Sequence, residues 1–212
     1  MIVRLQSLGK KYFREWVFRG MDYQFVSGQS YAITGPNGSG KSTFLKTLSG
    51  AIPATEGTIS FEQKSGQAIE EDAWPHYQAY AAPYLELIEE FTLKELLRFH
   101  FAFKQPVVNS CMEELAEKMV LSSAYHKEIK YFSSGMKQRL KLGLAFFSQV
   151  PILLLDEPTS NLDSRGIDWY LERVTEVKND RLLIICSNQK YEYQFCEKLI
   201  DITDFKRYKQ NK

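Results

Sequence analysis

The residues with the most recognisable chemistry form one continuous run, Gly35-Pro36-Asn37-Gly38-Ser39-Gly40-Lys41-Ser42-Thr43. The run fits the pattern G-x-x-x-x-G-K-[S/T] of phosphate-binding loops. Its three glycines permit positive φ and close backbone approach, so successive N–H groups can point into one concavity. Lys41 is expected to reach the β- and γ-phosphates, and the Ser42 hydroxyl to ligate Mg²⁺. The motif therefore predicts a nucleoside triphosphate site. The alternative is a glycine-rich turn with a solvated lysine.

A second chemical feature is the acidic pair Asp156-Glu157, which follows the apolar run at residues 152–155. That run is typical of a central parallel strand buried on both faces. Ligand crevices form at the carboxyl edge of such sheets. We expect Asp156 to hold Mg²⁺ through water, opposite Ser42, and Glu157 to accept a proton from a water that attacks the γ-phosphate. Taken alone, the pair can equally be a turn or helix-start feature.

The elements around these motifs fit the same interpretation. An apolar strand candidate at residues 31–34 precedes the glycine-rich run, and a helix-compatible segment at 43–48 follows it. The start of a helix offers unpaired N–H groups and the positive end of its dipole, which both favour an anion. Strand–helix alternation in the second half of the chain predicts a parallel α/β sheet.

Earlier in the chain the pattern changes. Short strand candidates, with residues 16–18 and 23–26 interpreted as two separate strands, predict an antiparallel layer beside the core. A hairpin is predicted over residues 57–69. Residues 85–130 have helical periodicity and are interpreted as a helical subdomain within a single domain spanning residues 1–212.

Composition excludes several classes of function. The net charge of +1 gives no global field for nucleic acid, so no nucleic-acid partner is expected. Three cysteines, odd in number and without metal-type spacing, suit reduced thiols in a cytosolic protein. Apolar runs are far shorter than a membrane span, so the chain is expected to be soluble, which leaves docking on a membrane protein open. The basic tail, which includes Lys206 and Arg207, is expected to be a solvated terminus.

The motifs, taken in order, identify a family. The glycine-rich run at 35–43, the signature segment Phe132-Ser133-Ser134-Gly135-Met136, the strand with its acidic pair, and Ser160-Asn161-Leu162-Asp163 resemble the nucleotide-binding subunit of ATP-binding cassette (ABC) transporters. The resemblance covers nearly the whole chain. It implies an α/β P-loop core with antiparallel β and helical subdomains. It also implies an ATPase on the cytoplasmic face of the membrane that drives a separate transmembrane permease, with ATP and Mg²⁺ as cofactors.

The resemblance further implies two such units head to tail, as a homodimer or as a heterodimer with a similar subunit. ATP would then lie between the phosphate loop of one protomer and the signature segment of the other. Ser133 and the Gly135 N–H are assigned to the γ-phosphate of the partner's ATP, and Tyr12 to stacking on adenine. Taken locally, a plain helix N-cap explains Ser133 as well, and a core aromatic explains Tyr12.

Three departures from the family pattern stand out. Phe132, Ser134 and Met136 replace three of the five residues of the usual signature, Leu-Ser-Gly-Gly-Gln. Tyr84 is the nearest match to a glutamine that contacts the metal. Asn188 replaces a histidine and can donate a hydrogen bond but cannot carry a charge. The hypothesis is that ATP binding and dimer closure survive while hydrolysis is slower than the family norm.

Two alternative functions are compatible with the same ATP-binding domain. One is a soluble ABC ATPase in assembly, repair or translation, and the other is a nucleotide-gated regulatory subunit with weak turnover. The single phosphate loop, the absence of a heptad run and the near-zero net charge disfavour the first. The acidic and apolar residues 85–90 are a candidate docking surface for the permease, with a solvent-facing loop as the alternative.

Overall fold

The computed structural model describes residues 1–107 and 110–206; residues 108–109 and 207–212, with most of the basic tail, lie outside the described residues. In chain order the strands are β1 (Ile2–Tyr12), β2 (Glu15–Val26), β3 (Ser30–Thr34), β4 (Glu56–Glu62), β5 (Ala68–Ile69), β6 (Gln78–Ala81), β7 (Ile152–Asp156), β8 (Leu182–Cys186) and β9 (Lys198–Asp201). The helices are α1 (Lys41–Leu48), α2 (Trp74–Tyr77), α3 (Leu93–Phe103), α4 (Met112–Lys118), α5 (Ser134–Phe146), α6 (Ser164–Val177) and α7 (Lys190–Tyr193).

The first layer is an antiparallel sheet with the strand order β2-β1-β4-β5, as predicted for this part of the chain. The hairpin β4–β5 is confirmed. The interpretation of residues 16–18 and 23–26 as two strands is wrong, because they belong to the single strand β2. Gly20 and Asp22 suggest a turn by composition. However, Met21 between them is fully buried and pairs with Leu8, so sheet packing overrides local propensity.

The second layer is a parallel sheet with the order β6-β7-β8-β3-β9, which confirms the predicted α/β core. Every residue of β7 and β8 is buried. Alternate side chains of these strands enter different cores, as the period of two requires. Leu154 and Ile184 join the core shared with α1 and the antiparallel sheet, whereas Leu155 and Ile185 pack beneath α5 and α6. The sheet is thus covered on both faces.

The helical part has a separate core. α3 and α4 pack through Leu93, Leu97 and Leu115 against the α5 residue Leu140. α3 begins at a capping box in which Thr92 and Glu95 satisfy each other's backbone N–H groups. The apolar periodicity of residues 137–150 predicts a helix there, whereas the observed helix α5 begins at Ser134 and ends at Phe146. The last residues of the predicted helix are diverted because Val107 N–H donates to the Phe147 carbonyl at 2.8 Å.

No helix in residues 1–107 or 110–206 combines the length and apolarity that crossing a bilayer requires. The helical segments α3 and α4 lie within the predicted subdomain at 85–130. The assignment of residues 1–212 to one domain stays a prediction.

Candidate functional site

The predicted motifs meet because β3, β8 and β7 are neighbours in the parallel sheet and end at the same edge. The glycine-rich loop follows β3, Asp156 ends β7, and Asn188 lies in the loop after β8. Two of these loops are tied directly, since the Glu157 N–H donates to the Cys186 carbonyl at 2.8 Å. The strand order therefore brings the phosphate loop, Asp156 and Asn188 to one edge of the parallel sheet.

The backbone of the loop at residues 35–43 depends on glycine. Gly40, which precedes α1, has φ 109°, and a Cβ there would lie 2.3 Å from Val17 Cγ1. Gly38 has φ 73° with open space around it, so its requirement is conformational rather than steric. The loop leads directly into α1, so its backbone N–H groups lie next to the unpaired N–H groups of the first helical turn. This arrangement suits phosphate oxygens.

Lys41 holds this loop together. Its side chain is buried, and Nζ donates to the Gly35 carbonyl at 2.8 Å and to the Pro36 carbonyl at 3.3 Å. Beside it lies an open cavity of about 320 Å³. The cavity is lined by Tyr12, Val17, Asn37, Gly38, Ser39, Gly40, Lys41, Ser42, Thr43 and Glu157. Tyr12 at the rim is 48% exposed, which leaves a ring face available for stacking.

The predicted metal ligand Asp156 is only 1% exposed. Its Oδ2 accepts a hydrogen bond from the Tyr84 hydroxyl at 2.7 Å, whereas Oδ1 is buried without a partner among the described residues. Burial raises the pKa of Asp156, and the hydroxyls of Ser42 and Tyr84 only partly oppose this shift. A buried, unpaired carboxylate oxygen near a serine hydroxyl fits Mg²⁺, which prefers oxygen donors and keeps some of its waters.

Glu157 and Asn188 face a smaller cavity of about 210 Å³, which Asn37 also lines. The Glu157 side chain is exposed, and its backbone has φ 40°, a conformation that costs a non-glycine residue on the order of 1–3 kcal/mol. Asn188 Nδ2 donates to Asn37 Oδ1, which connects the loop after β8 with the phosphate loop. The cavity thus places a carboxylate, a neutral amide and the phosphate loop together.

The two predicted signature residues lie elsewhere. Ser133 is exposed and caps α5, with its hydroxyl accepting from the Met136 N–H at 3.2 Å. Gly135 follows, and a Cβ there would lie 2.9 Å from the Asn161 carbonyl. Among the described residues that line the phosphate-loop cavity, neither is present. Within one chain the signature segment is therefore separate from the chain's own phosphate loop.

The model of the ABC transporter family matches residues 18–160, a stretch that includes the phosphate loop, the signature segment and the acidic pair. The chain belongs to the ABC transporter ATP-binding family. Proteins similar to this chain support the ATP-binding subunit of a transporter rather than a soluble, non-transport ATPase.

Proteins similar in sequence support this assignment. The cassette is 31% identical over 196 residues to the lantibiotic transport ATP-binding protein SrtF of Streptococcus pyogenes, covering 88% of this chain and 80% of that protein. It is 27% identical over 209 residues to the linearmycin resistance ATP-binding protein LnrL of Bacillus subtilis (strain 168), covering 96% of this chain and 66% of LnrL.

Solved structures agree on the fold. A structure described as the ATP-binding subunit of an ABC transporter matches with a TM-score of 0.80 at 25% identity, covering 95% of this chain and 87% of that one. The dimeric structure of the cassette MJ0796 also gives a TM-score of 0.80, at 19% identity and with 94% of each chain covered. The latter similarity concerns the fold alone.

Tyr84, the nearest match to the family's glutamine, lies beside Asp156. The glutamine nearest to Tyr84 in the sequence is Gln78. It begins β6 at the opposite edge of the sheet and donates to the Ser49 carbonyl at 2.7 Å. The Tyr84 hydroxyl also bonds that of Tyr80, and burial raises the pKa of both phenols. Both therefore stay protonated at neutral pH, which makes Tyr84 a donor to Asp156.

Sequence reasoning missed the residues that hold the loops after β7 and β8 in place. Glu192, 1% exposed in α7, accepts from the Thr159 N–H at 2.8 Å and from the Ser187 hydroxyl. Gln138 in α5 donates to the Pro158 carbonyl at 2.8 Å. A lone glutamate in a short polar segment and a lone glutamine in an amphipathic helix carry no motif, so their packing had to be seen in three dimensions.

Proposed function

We propose that this cassette hydrolyses ATP to ADP and phosphate with Mg²⁺ and thereby powers a separate transmembrane permease. The observation that carries the proposal is the convergence of the phosphate loop, Asp156, Glu157 and Asn188 at the ends of three adjacent strands. Each group has the chemistry that phosphoryl transfer needs, namely charge neutralisation, metal binding, a base and a hydrogen-bond donor.

In this proposal the loop amides and Lys41 bind the β- and γ-phosphates of ATP. Lys41 would exchange its bonds to the Gly35 and Pro36 carbonyls for phosphate oxygens, which form stronger, charge-assisted bonds. Mg²⁺ would be held by Ser42 and, through water, by Asp156 Oδ1, and it would neutralise charge on the phosphates. Tyr12 would stack on the adenine.

For hydrolysis, a water oxygen forms a bond to the γ-phosphorus while the bond from that phosphorus to the β–γ bridging oxygen breaks. Glu157, exposed at the cavity, accepts the proton that the water loses. Asn188 donates a hydrogen bond to the γ-phosphate. Because an amide cannot carry the charge of a protonated histidine, we expect turnover to be slower than is typical of the family.

The separation of Ser133 and Gly135 from the chain's own phosphate loop supports a composite site. Ser133 is exposed at the start of the thirteen-residue helix α5, where backbone N–H groups favour an anion. A second cassette, either a copy of this chain or a similar subunit, would present these donors to the γ-phosphate. Binding of ATP would then close the dimer, and hydrolysis would reopen it.

A groove beside the site supports permease docking. It is lined by residues of the predicted docking segment 85–90 and by α3 and α5, and it includes Leu85, Ile88 and Phe99. Ile88 and Phe99 are exposed. Glu86, Glu89 and Glu90 line the adjoining cavity. Lys137 and Lys141 line that cavity as well, and Glu89 pairs with Lys137, so the apolar floor has a rim of mixed charge. Such a groove suits a short amphipathic helix, and docking there would hold the cassette at the cytoplasmic face of the membrane.

The first experiment tests the nucleotide chemistry. The Glu157→Gln variant keeps the size of the side chain but removes the base, so it should accumulate as an ATP-bound dimer in gel filtration with ATP and Mg²⁺. Addition of EDTA and ADP should return the monomer. A variant that remains monomeric with ATP and Mg²⁺ contradicts the composite site.

The second experiment tests the partner. The cassette purified from detergent-solubilised membranes of its native host should retain an integral membrane protein. The double substitution Glu86→Lys and Glu90→Lys should release that protein, whereas Glu172→Lys on the exposed face of α6 should not. Retention by all three proteins contradicts docking at the groove.

A further inference from the structure

Tyr84 is fixed beside the site by contacts to three different elements. Its hydroxyl donates to Asp156 Oδ2 at 2.7 Å, at the end of β7. The same hydroxyl bonds that of Tyr80 in β6. Lys46 Nζ in α1 lies 3.9 Å from the centre of the Tyr84 ring, within range of a cation–π interaction. These three contacts hold the Tyr84 side chain in place, although it is 43% exposed.

The two oxygens of Asp156 consequently differ. Oδ2 is occupied by the Tyr84 hydroxyl, whereas Oδ1 is buried and accepts no hydrogen bond of normal distance and angle from the described residues, although the Ser42 hydroxyl is near enough to stabilise the carboxylate. A buried acceptor left without a donor is unfavourable by about 1–3 kcal/mol, so the arrangement is explained best by a group that binds later. The Tyr84 bond determines which oxygen remains available.

We propose that Tyr84 is a positioning residue for the magnesium site, which acts by holding Asp156 through Oδ2 so that Oδ1 is directed at the metal. The inference rests on the proposed function. It assigns to the phenol an indirect role, since a protonated phenol is a poor metal ligand but a good donor to a ligating carboxylate. The contact between the metal site and the segment at 84–90 then runs through Asp156.

A competing role for the same hydroxyl predicts the opposite change in Mg²⁺ affinity when the hydroxyl is removed. If the Tyr84 hydroxyl instead blocks the metal, its removal would strengthen Mg²⁺ binding. If it positions the carboxylate, its removal releases the carboxylate to rotate, and Mg²⁺ binding weakens. Loss of an outer hydrogen-bond partner typically weakens metal binding by about 10–100-fold. Because the carboxylate here keeps its burial, we expect the lower end of that range.

The experiment uses Tyr84→Phe, which removes one oxygen and keeps the ring over Lys46. The probe is a fluorescent ATP analogue, titrated first in EDTA and then with increasing Mg²⁺. We expect unchanged affinity in EDTA and about a 10-fold higher Mg²⁺ concentration at half-saturation. The matched control, Tyr80→Phe, removes the neighbouring hydroxyl without touching Asp156 and should have a much smaller effect.

A double-mutant cycle separates positioning from a general structural effect. In an Asp156→Asn background, Tyr84→Phe should no longer change the Mg²⁺ dependence, because the carboxylate it acts through is gone. An unchanged or lower Mg²⁺ requirement in Tyr84→Phe overturns the inference, as does an equal effect in both backgrounds. Failure of the wild-type protein to bind the analogue would instead contradict the proposed function itself.

Discussion

Glu192 offers a direct test of how the loops that carry the proposed base and the proposed γ-phosphate donor are held. Its buried carboxylate accepts from the Thr159 N–H at 2.8 Å, from the Thr159 hydroxyl and from the Ser187 hydroxyl. Thr159 follows Glu157 by two residues, and Ser187 precedes Asn188. One side chain thus joins the loop of the proposed base to the loop of the proposed γ-phosphate donor.

The cost of removing Glu192 follows from these donors. In Glu192→Ala, the Thr159 hydroxyl can turn to the Tyr191 hydroxyl at 3.0 Å. The Thr159 N–H and the Ser187 O–H are left unpaired, at about 1–3 kcal/mol each. Relief of the buried charge offsets part of this, so we expect a loss of about 3 kcal/mol in unfolding free energy. For a chain of this length that corresponds to roughly 6–12 °C in Tm.

Glu192→Gln is the matched comparison, because it keeps the shape and one acceptor for the Thr159 N–H. Its Tm should fall less than that of Glu192→Ala, while ATP turnover falls in both as the loops loosen. The exposed substitution Glu117→Gln in α4 serves as control and should change neither. Wild-type Tm and turnover in Glu192→Ala would refute the idea that this carboxylate holds the loops.

The pH dependence of Glu192 has a definite sign. Burial raises its pKa above the ordinary 4.5, with the three donors acting in the opposite direction but less strongly. A carboxyl with a raised folded-state pKa stabilises the protein increasingly as the pH falls from that pKa to 4.5. The Tm of the wild type relative to Glu192→Gln should therefore rise over this window. A relative fall would mean that the bound carboxylate is favoured by folding.

Three further predictions concern other parts of the chain. Burial and Lys104 lower the pKa of His100 from 6.5 to about 4, so stability on the order of 3 kcal/mol should be lost between pH 6.5 and 4. Thermal melts of His100→Asn should lack this loss. Lys41→Ala should weaken ATP binding at least 10-fold by calorimetry, since each charge-assisted bond contributes about 1.5–3 kcal/mol, and unchanged affinity would remove Lys41 from the site. Asn188→Ala should slow turnover in a phosphate-release assay, whereas an unchanged rate would exclude this side chain from catalysis.

Much of the fold could be predicted because local pattern and global structure agree. The run at residues 152–155 is apolar throughout, as a strand covered on both faces must be, and it forms the buried strand β7. The amphipathic pattern of residues 164–177 predicts a helix, and α6 has these bounds, with Asp163 as its N-cap. By contrast, the prediction of two strands at residues 16–18 and 23–26 is wrong, because both stretches belong to β2. Only pairing with β1 keeps that strand continuous.

The candidate site also has parts that the sequence could predict and parts that it could not. The phosphate loop could be recognised because glycine, lysine and serine at this fixed spacing are specific for binding phosphate between a strand and a helix. Tyr84 and Asn188 could be located only as departures from a pattern, and what they contact was beyond the sequence. The bond from Tyr84 to Asp156 joins residues 72 positions apart, and that from Asn188 to Asn37 joins residues 151 apart. Such contacts follow from strand order, which short motifs do not encode.

The same long-range contacts connect the two halves of the proposed composite site. α5 starts at the signature segment, and its Gln138 donates to the Pro158 carbonyl, next to Glu157. Glu192 fixes the following residue, Thr159, from the other side. In the proposed composite site, where the signature segment would bind the nucleotide of the partner, any movement of α5 must therefore displace Pro158 or break a buried hydrogen bond. The position of Glu157 in one nucleotide site should consequently depend on occupancy of the other, a coupling that Gln138→Ala should weaken without changing ATP affinity.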